Sequence, residues 1–159
     1  MKTENPLVSI IIPTFNRMKY FQLALESVLA QTYNNLEIII VDDSTNNETY
    51  NLIQHYLTGY PYIQYYRNET NIGGALNFIK GFEYCKGEYI NLLMDDDIFH
   101  PNKIETMLAF FLNDISHEIT LVTSYRSFID EHGNPLPDNM YNQKRFEEIT
   151  IVDGIKAGN

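Results

Sequence analysis

The chain is an alternation of short apolar runs and segments of helical period, and few folds accept that order. Leu7 to Ile12, Leu36 to Val41, Tyr62 to Tyr66, Tyr89 to Met94 and Ile119 to Tyr125 are rich in Ile, Val and Tyr and read as strands. The first, second and fourth lack clean polar alternation, as expected of parallel strands covered on both faces. Between them, Phe21, Ala24, Leu25 and Val28 fall at i, i+3, i+4 and i+7. The same spacing recurs in Ala75, Phe78, Ile79 and Phe82 and in Ile104, Met107, Leu108 and Phe111. It predicts three amphipathic helices. A fourth, weaker one runs from about Asn47 to Leu57 behind a polar Ser44-Thr45-Asn46 start. Strand and helix alternating in this way imply right-handed crossovers and an α/β fold, a mostly parallel sheet with helices on both faces.

Ligands of such sheets bind outside the carboxyl ends of the strands. The turns to inspect are therefore Pro13 to Arg17, Asp42 to Thr45, Arg67 to Gly74 and Asp95 to Pro101. Asp95-Asp96-Asp97 is the sharpest signal. Neighbouring carboxylates repel by up to ~4 kcal/mol per pair at about 4 Å and an effective dielectric of about 20, so the run must be solvated, partly protonated or metal-bound. Carboxylates suit Mg²⁺, Mn²⁺ or Ca²⁺, and an ion held by one or two of them keeps positions open for substrate phosphates. The competing reading is an acidic start to the helix behind Pro101. Asp42-Asp43-Ser44 offers acceptors for a base imide or a ribose, or else caps for the next helix, with Ser44 the better cap. In Pro13-Thr14-Phe15-Asn16-Arg17, Phe15 is either a ring that stacks on a base or a core residue, and Asn16 is a candidate cap. Asn71-Ile72-Gly73-Gly74 permits close approach of a ligand to backbone, or serves simply as a helix entry. Neither G-x-x-x-x-G-K-[ST] nor G-x-G-x-x-G is present.

Other chemistry is disfavoured. The net charge of -10 argues against nucleic acid or anionic lipid as partners, whereas an anionic nucleotide still binds where a divalent cation bridges it to carboxylates. His55, His100, His117 and His132 show no grouping, and no G-x-S-x-G elbow supports acyl transfer. Cys85 cannot form an internal disulfide and reads as a small core residue. With no signal-peptide layout at Met1 to Pro6 and no apolar run near the ~20 residues of a spanning helix, the expected location is the cytoplasm. The 159 residues suffice for one domain with its own core. Beyond Tyr125 the pattern predicts a hairpin or loop around Asp130 to Pro135, a polar stretch through Arg145 and an unclassified segment from Ile149 to Asn159. Its ending reads as abrupt, as of a longer protein cut short.

Taken together, four blocks resemble glycosyltransferase family 2, of the Rossmann-like GT-A fold. They are Val8 to Arg17, Ser27-Val28-Leu29-Ala30-Gln31-Thr32, Ile40-Val41-Asp42-Asp43-Ser44, and Gly87-Glu88-Tyr89-Ile90 followed by the acidic run. Order and spacing fit as well, from about Leu7 to about Asn134. The resemblance implies a nucleotide-sugar donor, commonly a UDP-sugar, bound through Mn²⁺ or Mg²⁺, and sugar transfer with inversion to a glycan or other acceptor hydroxyl. Carried across by position, Pro13, Thr14, Phe15 and Asn16 would line the nucleoside pocket, with Asp43 reading the base and Asp42 nearby. Gly73, Gly74 and Asn77 would approach the nucleotide or donor sugar. Asp95 would face the nucleotide, and Asp96, flanked by Asp97, would hold the metal. Met94 stands where the family often has the first acid of its D-x-D signature, and Leu76 where it often has Arg. The family's general base lies in the second half of its catalytic domain, so no residue here is assigned that role. A receiver domain would place its acids after the first and third strands, not the second and fourth. A noncatalytic binding module or a nucleotidyltransferase on the same sheet are the competing functions.

Overall fold

The computed structural model describes residues 5–124, 126–130 and 133–137. Two compact units divide the chain, Met1–Thr120 and Leu121–Asn159. The first runs β1 (Val8–Thr14), α1 (Met18–Leu29), β2 (Leu36–Asp42), α2 (Glu48–Leu57), β3 (Ile63–Arg67), α3 (Gly74–Phe82), β4 (Tyr89–Leu92) and α4 (Lys103–Asn113). The strands form one parallel sheet in the order β3-β2-β1-β4.

The continuous apolar runs became the two central strands because both their faces are covered. Every residue of β1 and β2 is buried. On one face, Ile10, Ile12, Ile38 and Ile40 pack with Phe21, Leu25 and Val28 of α1, Ile53 of α2, and Ile104 and Leu108 of α4. On the other, Ile11, Ile39 and Val41 meet Phe78 of α3 together with Tyr66, Tyr84 and Cys85. Cys85 is thus partly buried, as a small apolar residue, and burial raises its thiol pKa. Helix α3 comes close to the sheet because Gly81 has no side chain: a Cβ there would lie 2.5 Å from Ile11 Cγ2.

Register fixes which residues reach the carboxyl edge. β1 and β2 run level from Val8 opposite Leu36 to Thr14 opposite Asp42, so both strands end at the same height. Arg67 closes β3 beside Asp42. β4 pairs with β1 through Leu92 opposite Ile11, and the Leu93 amide continues to the Ile11 carbonyl at 2.9 Å, which delivers the acidic run to the same edge.

Of the strand expected over Ile119 to Tyr125, the described residues 119–124 form none. Residues 119–124 make no ladder, and Leu121 is 77% exposed. A β-prone composition yields a strand only where a partner strand and a face to bury exist. Asp114 Oδ2 instead takes the Ile119 amide at 2.7 Å. In the second unit, of the expected hairpin or loop, the described residues form an isolated antiparallel bridge between Ile129 and Pro135, and the Asp130 amide donates to the Asn134 carbonyl at 2.9 Å. His132, Arg145 and the segment from Ile149 to Asn159 lie outside the described residues.

Gly81→Val should destabilise the fold by about 1–3 kcal/mol, the usual cost of overpacking a filled core, despite removing a helix glycine. Urea denaturation measures it. Unchanged stability would show that Ile11 yields freely.

Candidate functional site at the carboxyl edge

Thr14 and Asp95 join the ends of β1 and β4. Thr14 Oγ1 donates to Asp95 Oδ2 at 2.9 Å, and the Phe15 amide donates to the same oxygen at 3.3 Å. Asp95 is buried, and burial raises its pKa against the opposing pull of those two donors and of Arg17. Arg17 Nη1 stands 3.6 Å from Asp95 Oδ1 and 2.6 Å from Asp96 Oδ2, so one guanidinium spans two of the three acids. Asp96 and Asp97 are exposed, as is the Phe15 ring at 42%. Phe15 is therefore not a core residue.

A second set of bonds ties the β1 turn to the β2 turn. Asn16 adopts φ 54°, a left-handed conformation that Asn tolerates better than most residues. Its amide donates to Ser44 Oγ at 2.8 Å, and its Oδ1 accepts the Thr45 amide at 3.0 Å. This corrects two expected caps. Asn16 does not cap α1, whose entry residue is Arg17, and Ser44 does not cap α2, whose entry residue is Asn47. Asn46 Oδ1 takes the Glu48 amide instead, at 3.0 Å. Asp42 is buried behind this turn, accepting the Ser44 amide at 2.8 Å and the Tyr65 hydroxyl at 2.5 Å. Burial first, and then the Asp42 carboxylate, hold the Tyr65 phenol far above its ordinary pKa.

Asp43 supports the third turn. Its Oδ1 accepts from Asn68 Nδ2 at 3.0 Å and the Ile72 amide at 2.9 Å, and its Oδ2 from the Gly73 amide at 2.9 Å. It thus anchors the entry of α3, not that of α2. A base edge reaching this carboxylate would share it with those amides. Gly73 holds φ 86°, which disfavours any side chain, and Gly73 and Gly74 both border open space. They form the helix entry and leave the backbone accessible. Asn77 faces inward: its Nδ2 donates to the Val41 carbonyl at 2.9 Å and its Oδ1 accepts from Asn68 at 2.9 Å. Lys80 Nζ closes the network on Asn68 Oδ1 at 2.7 Å.

The edge therefore brings together Pro13, Thr14, Phe15, Asn16, Asp42, Asp43 and Asp95, with Asp96 beside Arg17. Gly73 and Gly74 join through Asp43, while Asn77 lies behind the edge. Among the described residues no group of three or more His, Cys, Asp or Glu is placed to hold a metal ion. A hard ion that takes one or two carboxylates and completes its shell with phosphate and water still fits the Asp95 to Asp97 donor set. His100 is exposed and faces Asn102 Oδ1 at 2.7 Å. Sequence reading assigned nothing to Arg17, Tyr65, Asn68 or Lys80. Their partners lie on other elements and turns, and the one available signal was that strand-end acids need internal donors.

Asp95→Asn should stabilise the protein at neutral pH by about 1 kcal/mol, because the buried charge is removed while an acceptor for Thr14 remains. Asp95's folded pKa is raised, so the cost of its ionisation is present above that pKa and absent below the ordinary carboxylate range. The advantage of the variant should fade as pH falls through about 4 in thermal unfolding. A variant less stable than the parent at pH 7 would show that the hydrogen bonds outweigh burial.

Residues 9–156 match the model of glycosyl transferase family 2. An uncharacterised glycosyltransferase of Rickettsia typhi is 36% identical over 149 residues, covering 91% of this chain and 45% of that protein. The chondroitin synthase of Escherichia coli is 36% identical over 138 residues, covering 86% of this chain and 19% of its own length. The chain thus spans less than half the length of these relatives. Among solved structures, S. aureus TarS 1-349 in complex with UDP superposes with a TM-score of 0.60 at 27% identity, over 65% of this chain and 31% of that one. A mannosyltransferase from Pyrobaculum calidifontis, solved with GDP-Man and Mn²⁺, shares the fold at a TM-score of 0.62 and 20% identity, over 71% and 34%. The parallel sheet with helices on both faces is that of the GT-A glycosyltransferases, and the chain belongs to glycosyltransferase family 2.

Proposed function

We propose that this chain binds a nucleotide-sugar, most simply a UDP-sugar, for metal-dependent transfer of the sugar with inversion to an acceptor hydroxyl. The observation that carries the reading is the convergence of the ends of β1, β2 and β4 on one edge, where an exposed ring stands beside tethered acids. TarS, solved with UDP and with UDP-GlcNAc, supports the choice of donor.

The residues divide the work by exposure. Phe15 is free to stack on a base, with the Pro13-Thr14 strand end beneath it. Asn16, Asp42 and Ser44 stiffen the turns on either side, so these turns need little ordering when the donor arrives. Asp43, with Asn68 and Asn77 behind it, fixes the Ile72-Gly73-Gly74 backbone, whose open glycines admit a phosphate or sugar at close range. Asp95 presents an acceptor to the ribose. Asp96, assisted by Asp97, would hold a divalent ion, which when bound supplies positive charge against the departing diphosphate. The proton of the attacking hydroxyl requires a carboxylate base, and none of the residues assigned here fills that role.

Thermal unfolding with UDP, GDP and CDP, each with and without Mn²⁺, tests the proposal. UDP with Mn²⁺ should stabilise the chain by about 2.7 kcal/mol at one hundred times its Kd, and the effect should vanish in Asp96→Ala. A larger shift with GDP would change the donor class. No shift with any nucleotide would leave a fold without donor binding.

A further inference from the structure

Arg17 lies where three features meet. It follows Asn16, whose left-handed backbone turns the chain sharply after β1, and it enters α1 without a side-chain cap bond. Its side chain is 52% exposed and reaches from the end of β1 to the acids after β4. There it makes a charge-assisted contact of 2.6 Å to Asp96 Oδ2 and stands 3.6 Å from Asp95 Oδ1. Three consecutive acids repel one another, and a cation standing in front of two of them offsets that repulsion.

A guanidinium and a divalent ion compete for this place. Both are cationic and repel at contact distance, and Arg17 already holds Oδ2, one of the two Asp96 oxygens that an ion would use. We propose that Arg17 is a displaceable counter-cation for Asp96: it neutralises that carboxylate until a divalent ion enters, and is then released toward the diphosphate of the donor. The planar fork of Arg matches phosphate oxygens, and the half-exposed side chain is free to turn. Arg17 is in this sense a positioning residue for the acid and a contact residue for the nucleotide. The inference rests on the donor reading above, but its first half concerns the chain and the metal alone.

Mn²⁺ binding to the whole chain without nucleotide, followed by the electron paramagnetic resonance of the free ion, tests that half. Arg17→Gln should tighten Mn²⁺ about threefold to fivefold, the scale of one exposed ion pair released, while Arg17→Lys, which keeps the charge, should stay near the parent value. Arg17→Gln combined with Asp96→Asn should lose the gain. A loss of fold stability alone would not produce tighter binding of an ion. In a second arm, UDP titrated at saturating Mn²⁺ should bind Arg17→Gln about tenfold more weakly, as for loss of a charged phosphate contact. Unchanged or weaker Mn²⁺ binding by Arg17→Gln would overturn the counter-cation role even if the parent binds UDP normally. Unchanged UDP binding would overturn the release toward diphosphate. A parent chain that takes up Mn²⁺ but ignores UDP would overturn the donor reading instead.

Discussion

The hydrogen bond from Thr14 to Asp95 is the joint on which this site depends. Its two residues are 81 positions apart, at the ends of neighbouring parallel strands, and their contact sets the first acid of the β4 turn against the β1 turn. A carboxylate buried at that point is costly, and two donors with a nearby guanidinium only partly offset the cost. A protein selected for stability alone would have an amide or an apolar residue there. An ionisable group buried at the carboxyl edge of a parallel sheet is the pattern expected of a ligand site.

The rest of the edge repeats one device. Polar groups at the strand ends are satisfied from neighbouring strands and turns: the Asp42 carboxylate by the Ser44 amide and the Tyr65 hydroxyl, the Asp43 carboxylate by Asn68, Ile72 and Gly73, the Asn16 amide by Ser44 Oγ and its Oδ1 by the Thr45 amide. Around the buried Asp42 and Asp43 such a network is rigid, because any member left without its partner would incur its full desolvation cost. The core below it is apolar and continuous, from Ile10, Ile12, Ile38 and Ile40 outward to the helices. That core fixes the height of the strand ends, and the network fixes what protrudes from them. What protrudes is Phe15, Arg17, Asp96 and the two glycines.

The arrangement of the sheet was legible because periodicity reports burial directly. Uninterrupted apolar runs at Ile10 to Ile12 and Ile38 to Val41 announce strands covered twice, and the acids that follow mark the edge where ligands bind. Side-chain pairing was not legible in the same way. Ser44 has the composition of a cap, yet it serves Asn16, 28 positions earlier. Asp43 caps a helix entry 30 positions later, not the adjacent one. Ile119 to Ser124 has β-prone residues and no ladder. In the first two cases local preference was overridden by a partner distant in sequence, and in the third by the lack of a partner strand; no window of neighbouring residues contains either.

The central claim is that the ends of β1, β2 and β4 form one donor site with Asp96 at its metal. A crystal of this chain grown with UDP and Mn²⁺, measured at the manganese absorption edge, tests it most directly. The account predicts an anomalous peak within about 2.0–2.3 Å of an Asp96 oxygen, with the diphosphate on its other side and the base against Phe15. A peak at the amino end of the sheet, or a nucleotide bound away from Thr14 and Asp95, would contradict it.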